Sequence, residues 1–509
     1  MKKIILSIIL LLAFAGLNIC YSQKHQPAMH PAHHDSISSS KNDSVPPPVI
    51  THHHITIDGK TINYTATAGY MPSKDKDESV KAKIFYIAYT ADGESADKRP
   101  VTFVFNGGPG SSSIWLHMGA ISPVRVHFGD DKGAAPAPPF TYGDNENSWI
   151  GFTDLVFIDP VSTGFSRTVK GVEPAKYHGY SEDIASVGDF IRMYTTRNER
   201  WGSPKFLTGE SYGTTRASGL SGYLQNAYGM YLNGITLVSS VLNFQYIDFS
   251  KGNDLPYSLF LPTYATTAQY HKKLAPELES LSVEQLAKKT ETFASGTYAY
   301  FLMQGDAASV DLTNKVIDSL SYFTGLSKSY IKSSNERIRD DRFFKELMRD
   351  DGKTVGRYDS RYIGEDADDA GEGFSYDPSY SAVSGLFNGV LNEYMRKDLN
   401  YKSDLPYEAL TNVWPWKLPE NGYLDVSETL RSAMTQNPSL KVMVACGYYD
   451  LATPFYNAEY AVNHMGLRAD VRNNITLTYY NAGHMMYVTK DDDAKLKADA
   501  MKFYQGAIK

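Results

Sequence analysis

The chain has 509 residues and a formal net charge of −7. Hydrophobic residues make up 42% of it and charged residues 21%, a balance that excludes a mostly disordered chain and a collagen-like fibre. The acidic charge argues against a nucleic-acid partner, because an acidic surface repels phosphate. The length is enough for one large domain or a few, with a sizeable buried core.

The chain begins with a predicted secretory signal peptide over residues 1–22. Basic residues precede an apolar run over residues 4–19, and small residues stand at the −3 and −1 positions of a cut after Ser22, as in cleaved export signals. The run is short for a bilayer span and has no stop-transfer flank. We therefore predict an exported protein, periplasmic or secreted, with no stable membrane span. A lipoprotein cut at Cys20 is the alternative, although a bulky isoleucine precedes it.

Residues 23–54 are predicted to form a disordered linker. Apolar residues are few, and runs of serine and proline accompany a set of histidines: His25, His30, His33, His34, His52, His53 and His54. Histidine-rich tracts can bind metal, but a soluble spacer fits this composition better. Cleavage after Ser22 would also remove Cys20, which leaves Cys446 as the only thiol and excludes an internal disulfide.

The folded part is predicted to start with strands. Residues 55–57 and 61–65 flank Asp58-Gly59 and indicate a hairpin with a tight turn. Further short apolar runs predict strands over 83–89, 101–105, 155–159, 205–208, 441–445 and 475–479. Such strands, separated by helical stretches, indicate a sheet covered by helices on both faces.

A middle segment interrupts this strand pattern. Residues 250–410 are richer in charge and show helical periodicity, for example over 281–293 and 340–348. We predict a mainly helical insertion there. The predicted core therefore comes in two parts, residues 55–249 and 411–509, with a helical cap over 250–410 between them.

A candidate nucleophile lies in the first part of this core. Gly209-Glu210-Ser211-Tyr212-Gly213 has the Gly-x-Ser-x-Gly pattern, follows a predicted strand and precedes a stretch over 214–226 that can form a helix. In that context the glycines permit the sharp turn that exposes a serine hydroxyl above a sheet. Ser211 is therefore the candidate nucleophile, and a serine in an ordinary tight turn is the alternative.

A serine nucleophile needs a base, and the base needs an orienting acid. Asp450 and His484 directly follow the last two predicted strands. The order Ser211, Asp450, His484 is that of an α/β-hydrolase, and all three follow strands, at the edge where such sheets bind ligands. A structural histidine is the alternative for His484. The rival His464 lies inside a predicted helix, and Asp159 is better explained as a loop cap.

Acyl transfer also needs hydrogen-bond donors for the developing oxyanion. The amide of Tyr212, directly after the serine, is one candidate. The second is expected in the glycine-rich loop over 106–110, where backbone amides can approach a ligand closely. A plain glycine-rich turn is the alternative, and a phosphate loop fits worse because no Gly-Lys-Ser/Thr follows.

With these motifs assembled, the chain resembles the serine carboxypeptidase family. The similar segments are Asn106-Gly107-Gly108-Pro109-Gly110-Ser111-Ser112-Ser113, Trp149 with Phe157-Ile158-Asp159-Pro160-Val161-Ser162-Thr163-Gly164-Phe165-Ser166, Gly209-Glu210-Ser211-Tyr212, Gly447-Tyr448-Tyr449-Asp450 and Gly483-His484-Met485. The resemblance covers residues 80–245 and 410–509. It implies an α/β-hydrolase fold with a mainly helical cap between the nucleophile region and the Asp/His region.

The resemblance also implies a role for each part of the catalytic centre. Ser211 would be the nucleophile, His484 the base and Asp450 its orienter. The backbone amides of Gly108 and Tyr212 would bind the oxyanion. No metal and no cofactor are predicted.

A second set of residues would hold the terminal carboxylate of a peptide. By the same resemblance, these are Asn106, the amide of Gly107, and Glu210. Two carboxyl groups can approach each other only if one is protonated, which raises the pKa of Glu210 in the complex. We therefore expect peptide binding to be best at acidic pH.

Two positions depart from the family pattern. Ser111 replaces a signature cysteine, which agrees with a chain that lacks disulfides. Ala120 stands where the family usually has a second glutamate, paired with the one before the nucleophile, so a lone Glu210 is expected to titrate differently. Elsewhere, an acidic segment over 366–377 partly fits a calcium-loop spacing, but a solvated acidic loop fits better.

The leading prediction is a serine-type carboxypeptidase that releases C-terminal amino acids from peptides through an acyl-enzyme on Ser211. Its predicted partners are peptides with a free C-terminus, and no oligomeric state is assigned. An esterase or acyltransferase on the same scaffold is the alternative. Asn106 and Glu210 favour the peptidase, because an ester lacks the carboxylate they would hold. A catalytically inactive binding protein is a third hypothesis, which the intact triad opposes.

Overall fold

The fold is known from a computed structural model that describes residues 45–419 and 422–508. The predicted signal peptide and the first part of the predicted linker lie outside these residues. The strands of the described chain are, in order, β1 (Val49–Ile57), β2 (Lys60–Lys74), β3 (Val80–Ala91), β4 (Val101–Phe105), β5 (Val124–Val126), β6 (Tyr142–Asp144), β7 (Asp154–Ile158), β8 (Arg167–Thr168), β9 (Lys205–Ser211), β10 (Gly234–Ser240), β11 (Thr354–Val355), β12 (Ile363–Gly364), β13 (Lys441–Gly447) and β14 (Ile475–Tyr480).

One ten-stranded sheet organises the molecule, in the order β1-β2-β3-β7-β4-β9-β10-β13-β14 with β8 paired to β3. In this order, the pairs β1-β2, β2-β3 and β3-β7 are antiparallel. The remaining pairs, from β7-β4 to β13-β14, are parallel. Because parallel strands end at the same edge of a sheet, the loops after β4, β9, β13 and β14 meet there. These loops carry the candidate site.

The predicted strands are confirmed, because each overlaps an observed one. The central strands β4, β7 and β10 are buried along their whole length, as expected for parallel strands with both faces covered. The sequence analysis missed β10, whose apolar centre is short and lies between Gly234 and the serines Ser239 and Ser240.

The predicted linker over residues 23–54 is wrong at its C-terminal end. The strand β1 begins at Val49 and pairs antiparallel with β2, so His52, His53 and His54 belong to the sheet. His53 stacks on Tyr64 with ring centroids 5.4 Å apart. Composition favoured a linker, but the alternation of half-buried and exposed residues along β1 is the period-2 pattern of a strand.

Helices cover both faces of the sheet. The α-helices are α1 (Ile114–Leu116), α2 (Tyr180–Arg197), α3 (Tyr212–Tyr228), α4 (Leu255–Tyr270), α5 (Pro276–Glu279), α6 (Val283–Phe293), α7 (Ala299–Gln304), α8 (Val310–Thr324), α9 (Lys328–Ser333), α10 (Asp340–Glu346), α11 (Pro378–Lys397), α12 (Ser427–Gln436), α13 (Phe455–Asn463), α14 (Ala469–Arg472) and α15 (Lys490–Ala507). Short π-helical segments span His117–Ile121 and Ala294–Tyr298, and short 3-10 segments include Met486–Val488.

Alternate residues of the sheet enter two apolar cores. On one face, Phe103 and Leu207 pack with α2, α3, α12 and α13; on the other, Val104 and Phe206 pack with α11 and α15. This is the two-sided covering expected from the strand pattern. No helix of the described residues is long and apolar enough to span a bilayer.

The segment between β10 and β13 is mainly helical, as predicted. Residues of α4, α8 and α10 form a third core of their own, which also includes Leu451. The hydroxyl of Thr266 on α4 donates to the Tyr448 carbonyl at the end of β13, 2.7 Å away. The predicted cap range of 250–410 is too long, because Leu386, Val390 and other residues of α11 pack in the sheet core.

The acidic segment over 366–377 binds a lysine side chain of the cap. The Lys345 ammonium, which is buried, donates to an Asp366 oxygen at 2.7 Å and to the Asp368 carbonyl at 2.9 Å. Asp366 also accepts from Ser375. The described residues contain no group of three or more His, Cys, Asp or Glu that could hold a metal ion.

Candidate active site

Ser211 stands at the sharp turn between β9 and α3. Its backbone has φ 60° and ψ −130°, a conformation that is costly for a residue with a side chain and that marks strained functional turns. The turn closes tightly, because a Cβ atom at Gly209 would overlap the backbone of Gly213. Ser211 is half-buried and lines a pocket at the edge of the sheet.

His484 follows shortly after β14. Its backbone is fixed on two sides: the amide donates to the Tyr358 carbonyl at 2.6 Å, and the carbonyl accepts from the Ser239 hydroxyl at 2.7 Å. The ring of Tyr358 lies 5.1 Å from the imidazole, between centroids. The histidine is nearly fully buried and lines the same pocket as Ser211.

Asp450 orients His484 from behind. Its Oδ2 accepts from His484 Nδ1 at 2.8 Å and from the Thr453 hydroxyl at 2.7 Å. Its Oδ1 accepts from the amides of Ala452 and Thr453 at 2.8 and 2.9 Å. Since Nδ1 donates to the carboxylate, Nε2 of the neutral ring is left as a proton acceptor.

These contacts set the charges of the pair. Burial alone would raise the pKa of Asp450, but the charge of His484 and the hydrogen bonds from His484 and Thr453 bring that pKa below its ordinary value. Burial alone would lower the pKa of His484, and Asp450, with a smaller contribution from Glu210, raises it instead. Asp450 therefore stays ionised and stabilises a proton on the imidazole.

The glycine-rich loop after β4 packs directly on the start of α3. A Cβ atom at Gly107 would overlap the amide nitrogen of Tyr212, so only glycine permits this approach. Gly108 has φ +99° and lines the pocket with Gly107. The loop thus lies beside the N-terminus of a 17-residue helix, whose free amides and dipole favour negative charge.

Glu210 forms a buried polar cluster with two neighbours. Its Oε1 accepts from Asn106 Nδ2 at 2.9 Å, and its Oε2 accepts from the Tyr487 hydroxyl at 2.6 Å. Burial raises the pKa of Glu210 to about 7, although His484, Tyr487 and Asn106 oppose the shift.

The position of Asn106 is itself fixed. Its Oδ1 accepts from the Leu116 amide at 3.1 Å, and its backbone carbonyl accepts from Arg216 Nη1 at 2.6 Å. Arg216 is buried in an ion pair with Asp183, 2.8 Å long. The side-chain amide of Asn106 therefore points its donor at Glu210 because its oxygen is already used.

The structure brings most of the predicted site residues to one pocket. Its wall contains Asn106, Gly107, Gly108, Glu210, Ser211 and His484. Asp450 lies behind His484, and Tyr212 is buried at the start of α3. Their individual roles remain predictions.

The sequence analysis missed the apolar wall of the pocket and one polar residue. The apolar and aromatic part of the wall consists of Trp115, Tyr358, Tyr380, Leu410 and Met485, and the polar Ser111 lies beside them. Trp115 donates from its indole nitrogen to the Ser111 hydroxyl at 2.8 Å. The missed polar residue is Tyr487, only a few residues after His484, and the one signal available was this closeness to the histidine motif.

The rival residues have structural roles. Asp159 accepts from the Ser113 amide at 2.9 Å and from its hydroxyl at 2.8 Å, which confirms the prediction of a loop cap. His464 caps α13 and is exposed. Cys446 is fully buried, and burial raises the pKa of its thiol, so it is an inert core residue.

Comparisons with known proteins yield relatives for most of the chain. The family described as serine carboxypeptidase matches residues 57–498. Pheromone-processing carboxypeptidase KEX1 of Phytophthora infestans is 32% identical over 139 residues, 27% of this chain and 20% of that protein. KEX1 of Yarrowia lipolytica is 25% identical over 253 residues, 47% of this chain and 37% of that protein. Serine carboxypeptidase-like 35 of Arabidopsis thaliana is 29% identical over 153 residues, 30% of this chain and 29% of that protein.

The chain thus spans between 20% and 37% of the length of these relatives. The crystal structure of KEX1(delta)p, a prohormone-processing carboxypeptidase from Saccharomyces cerevisiae, has a TM-score of 0.52 to this chain at 17% identity and covers 87% of this chain and 91% of its own. This likeness confirms the predicted α/β-hydrolase fold. Because the family match extends over residues 57–498, the chain belongs to the serine carboxypeptidase family.

Proposed function

We propose that the protein is a serine-type carboxypeptidase that releases C-terminal amino acids from peptides through an acyl-enzyme on Ser211. The observation that carries the proposal is the hydrogen-bonded pair of Asn106 and Glu210, which lines the same pocket as Ser211 and His484. A buried acid beside the nucleophile serves an exopeptidase, because it can bind the terminal carboxylate that distinguishes its substrates.

In the first step, the Ser211 oxygen attacks the carbonyl carbon of the last peptide bond. Nε2 of His484 takes the serine proton, and Asp450 stabilises the imidazolium that forms. The amides of Gly108 and Tyr212 donate to the oxyanion. When the tetrahedral intermediate collapses, the carbon–nitrogen bond breaks and His484 gives its proton to the leaving amine. The free C-terminal amino acid departs and the acyl group stays on Ser211.

Water completes the cycle along the same path. It attacks the acyl carbon, His484 Nε2 accepts its proton, and the oxyanion again lies on the amides of Gly108 and Tyr212. Collapse breaks the ester bond, the proton returns to the serine oxygen, and the shortened peptide leaves. An alcohol in place of water would make the same site an acyltransferase.

Recognition of the terminal carboxylate depends on the protonation of Glu210. The Asn106 amide group and the Gly107 amide donate to the carboxylate, and the Glu210 acid donates its own proton. With a pKa of about 7, Glu210 is largely protonated at pH 5 to 6 and ionised at alkaline pH. Two ionised carboxylates repel each other, so peptide binding weakens as the pH rises through 7.

The apolar wall suggests which residues the pocket accepts. Trp115, Tyr380 and Leu410 line the pocket together with the polar residues, and the described pocket wall holds no charged side chain apart from Glu210 and the titratable His484. We therefore propose that apolar side chains are preferred next to the cleaved bond, since a charged one would lose its hydration without gaining a partner.

A mass-spectrometric time course on one peptide tests the proposed activity. The peptide is supplied with a free and with an amidated C-terminus, at acidic and neutral pH. We expect stepwise loss of C-terminal residues from the free form only, and none with Ser211→Ala. If esters are hydrolysed by Ser211 but the peptide is not trimmed, the protein is an esterase or acyltransferase. If a serine-directed phosphonate fails to label Ser211, it is an inactive binding protein.

We further propose that the protein is exported, to the periplasm or the medium. The support is the basic start, apolar run and small-residue cut site of residues 1–22. The N-terminal sequence of protein recovered from its native host is expected to start at Gln23. A mature protein that begins at Met1 and remains in the cytoplasm would contradict this part of the proposal.

A further inference from the structure

Glu210 has a second hydrogen-bond partner whose contribution the mechanism above leaves unused. The Tyr487 hydroxyl donates to Oε2 at 2.6 Å, while Asn106 donates to Oε1 at 2.9 Å. Both Tyr487 and Glu210 are buried. Asn106 belongs to the wall of the described pocket and Tyr487 does not, so the partner of Oε1 lines the pocket and the partner of Oε2 lies outside that lining.

We propose that Tyr487 is a positioning residue that places the Glu210 proton on Oε1, the oxygen on the pocket side. Both oxygens accept a hydrogen bond, but the donor to Oε2 is a buried phenol outside the pocket wall, whereas the donor to Oε1 is Asn106, within that wall. An acid hydrogen on Oε1 is therefore the one that a bound peptide can reach. There it can donate to the carboxylate of a peptide. This inference rests on the proposed carboxypeptidase function.

Tyr487 is suited to this role because it keeps its own proton. Burial, Glu210 and Asp493 all raise the pKa of the phenol well above its ordinary value. The hydroxyl therefore stays a donor across the pH range in which Glu210 titrates, whereas a second carboxyl group at this place would itself ionise. The pair of Glu210 and Tyr487 accordingly titrates as a single acid.

Small residues of the surrounding chain leave room for the Tyr487 ring. A Cβ atom at Gly119 would lie 2.5 and 2.7 Å from ring carbons Cε2 and Cδ2 of Tyr487, so a larger residue there would displace the ring. The next residue is Ala120, also small and buried. The backbone of Tyr487 is held as well: Arg125 Nη2 donates to its carbonyl at 3.0 Å, and Arg125 is paired with the buried Asp493.

The charged and titratable groups around Glu210 are few. His484 and Asp450 face it from the catalytic pair, Tyr358 lies along the pocket wall, and Arg357 acts on the catalytic pair. Asp493 acts on Tyr487 from α15. The substitution Tyr487→Phe removes one hydroxyl and leaves all of these groups in place, which makes it the matched test.

The test measures kcat and KM from about pH 5 to 9 for a peptide with a free C-terminus and for an ester without a carboxylate. In Tyr487→Phe the ionised form of Glu210 loses a hydrogen bond, which raises the pKa of Glu210. The alkaline limb of peptide kcat/KM should therefore move up by about one pH unit. The peptide KM at acidic pH should rise about 2- to 10-fold, because the proton is no longer directed to the pocket side. Ester hydrolysis should keep its kcat and its pH profile.

Two further variants keep this test decisive. Tyr142 also donates its hydroxyl to a carboxylate, that of Asp398 at 2.7 Å. Tyr142→Phe removes this hydroxyl and should change neither the peptide nor the ester pH profile. In a Glu210→Gln background, which has no acid proton to place, Tyr487→Phe should not shift the peptide pH profile. Thermal unfolding of each variant separates a local change from a loss of fold.

The outcomes distinguish this inference from the proposed function. A wild-type protein that does not trim free peptides refutes the carboxypeptidase proposal and this inference with it. Trimming by the wild type, together with an unmoved alkaline limb in folded Tyr487→Phe, overturns the role of Tyr487 alone. The same holds if Tyr487→Phe shifts the profile equally in the Glu210→Gln background.

Discussion

Asp450 and Glu210 are two buried carboxyl groups of one site whose pKa values are shifted in opposite directions. Asp450 accepts hydrogen bonds from two backbone amides, a threonine hydroxyl and the His484 ring, and its pKa is lowered. Within the described part of the chain, Glu210 accepts hydrogen bonds only from the neutral groups of Asn106 and Tyr487, and burial raises its pKa to about 7. Burial is the same for both, so the partners decide the charge.

The difference teaches how one fold supplies two kinds of acid. A carboxylate that accepts from an imidazole and three further donors stays ionised. It can then stabilise the positive charge that forms on the imidazole during proton transfer. A carboxyl group with two neutral donors stays near its protonation midpoint, where it can donate to an anionic ligand. Each substitution below changes either Asp450 and its partner or Glu210, and so tests one half of this contrast.

The largest effect is expected when Asp450 loses its charge. Asp450→Asn would donate to Nδ1 or force the ring into the wrong tautomer, so kcat should fall about 10³- to 10⁴-fold for peptides and esters alike. The peptide KM should change little, since the carboxylate-binding residues are intact. Steady-state kinetics check this, with the exposed Asp470→Asn as control. A loss confined to peptides would contradict the role given to Asp450.

Removal of the titrating acid should abolish one limb of the pH profile. In the wild type, peptide kcat/KM should fall about tenfold for each pH unit well above the Glu210 pKa, because the folded-state acid with a pKa of about 7 loses its proton there. Glu210→Gln keeps a donor at all pH values, so this limb should vanish. Ester hydrolysis should lack the limb in both proteins. An ester profile that shares this alkaline limb would show that the limb does not come from the carboxylate-binding acid, and would contradict the role given to Glu210.

Glu210 should also make stability depend on pH. Its folded pKa of about 7 lies above the ordinary 4.5, so its contribution is fully present below pH 4.5 and is lost as pH rises through 7. The shift corresponds to about 3 kcal/mol of unfolding free energy. Chemical denaturation of wild type and Glu210→Gln should show their difference in stability changing by up to that amount between pH 5 and 8. A constant difference would show that Glu210 titrates normally.

The smallest effect is expected from a change beside Asp450. Thr453 donates its hydroxyl to Asp450 Oδ2 at 2.7 Å, and Thr453→Val removes this bond while it keeps the shape and the backbone amide. Loss of one charge-assisted hydrogen bond should lower kcat about 3- to 10-fold and leave the alkaline limb of peptide binding unchanged. A shifted alkaline limb would show that the two carboxyl environments are coupled.

The site residues that could be predicted from sequence belong to short motifs at the ends of strands. Ser211, Asp450 and His484 each follow a strand, and strand ends of a parallel sheet converge whatever the intervening chain does. The residues that were missed reach the pocket from elsewhere. Tyr358 and Tyr380 come from the end of the helical segment, where no local pattern relates them to the nucleophile.

The fold shows the same division. Strands such as β4 were predictable because a buried parallel strand is a continuous apolar run. β10 has a short apolar centre with polar ends, and β1 is rich in histidine, so composition misled in both cases. The extent of the cap could not be read from sequence, because α11 has helical periodicity like the cap helices and only its packing assigns it to the sheet core.

The contrast between Asp450 and Glu210 is tested most directly by the protons taken up on binding. Titration calorimetry of an N-acetylated dipeptide with a free carboxylate into Ser211→Ala, at about pH 8 in buffers of different ionisation enthalpy, measures that uptake. We predict about one proton per bound peptide, and none for the dipeptide amide or for Ser211→Ala with Glu210→Gln. Tight binding of the free dipeptide without proton uptake would contradict the protonated Glu210 on which carboxylate recognition rests.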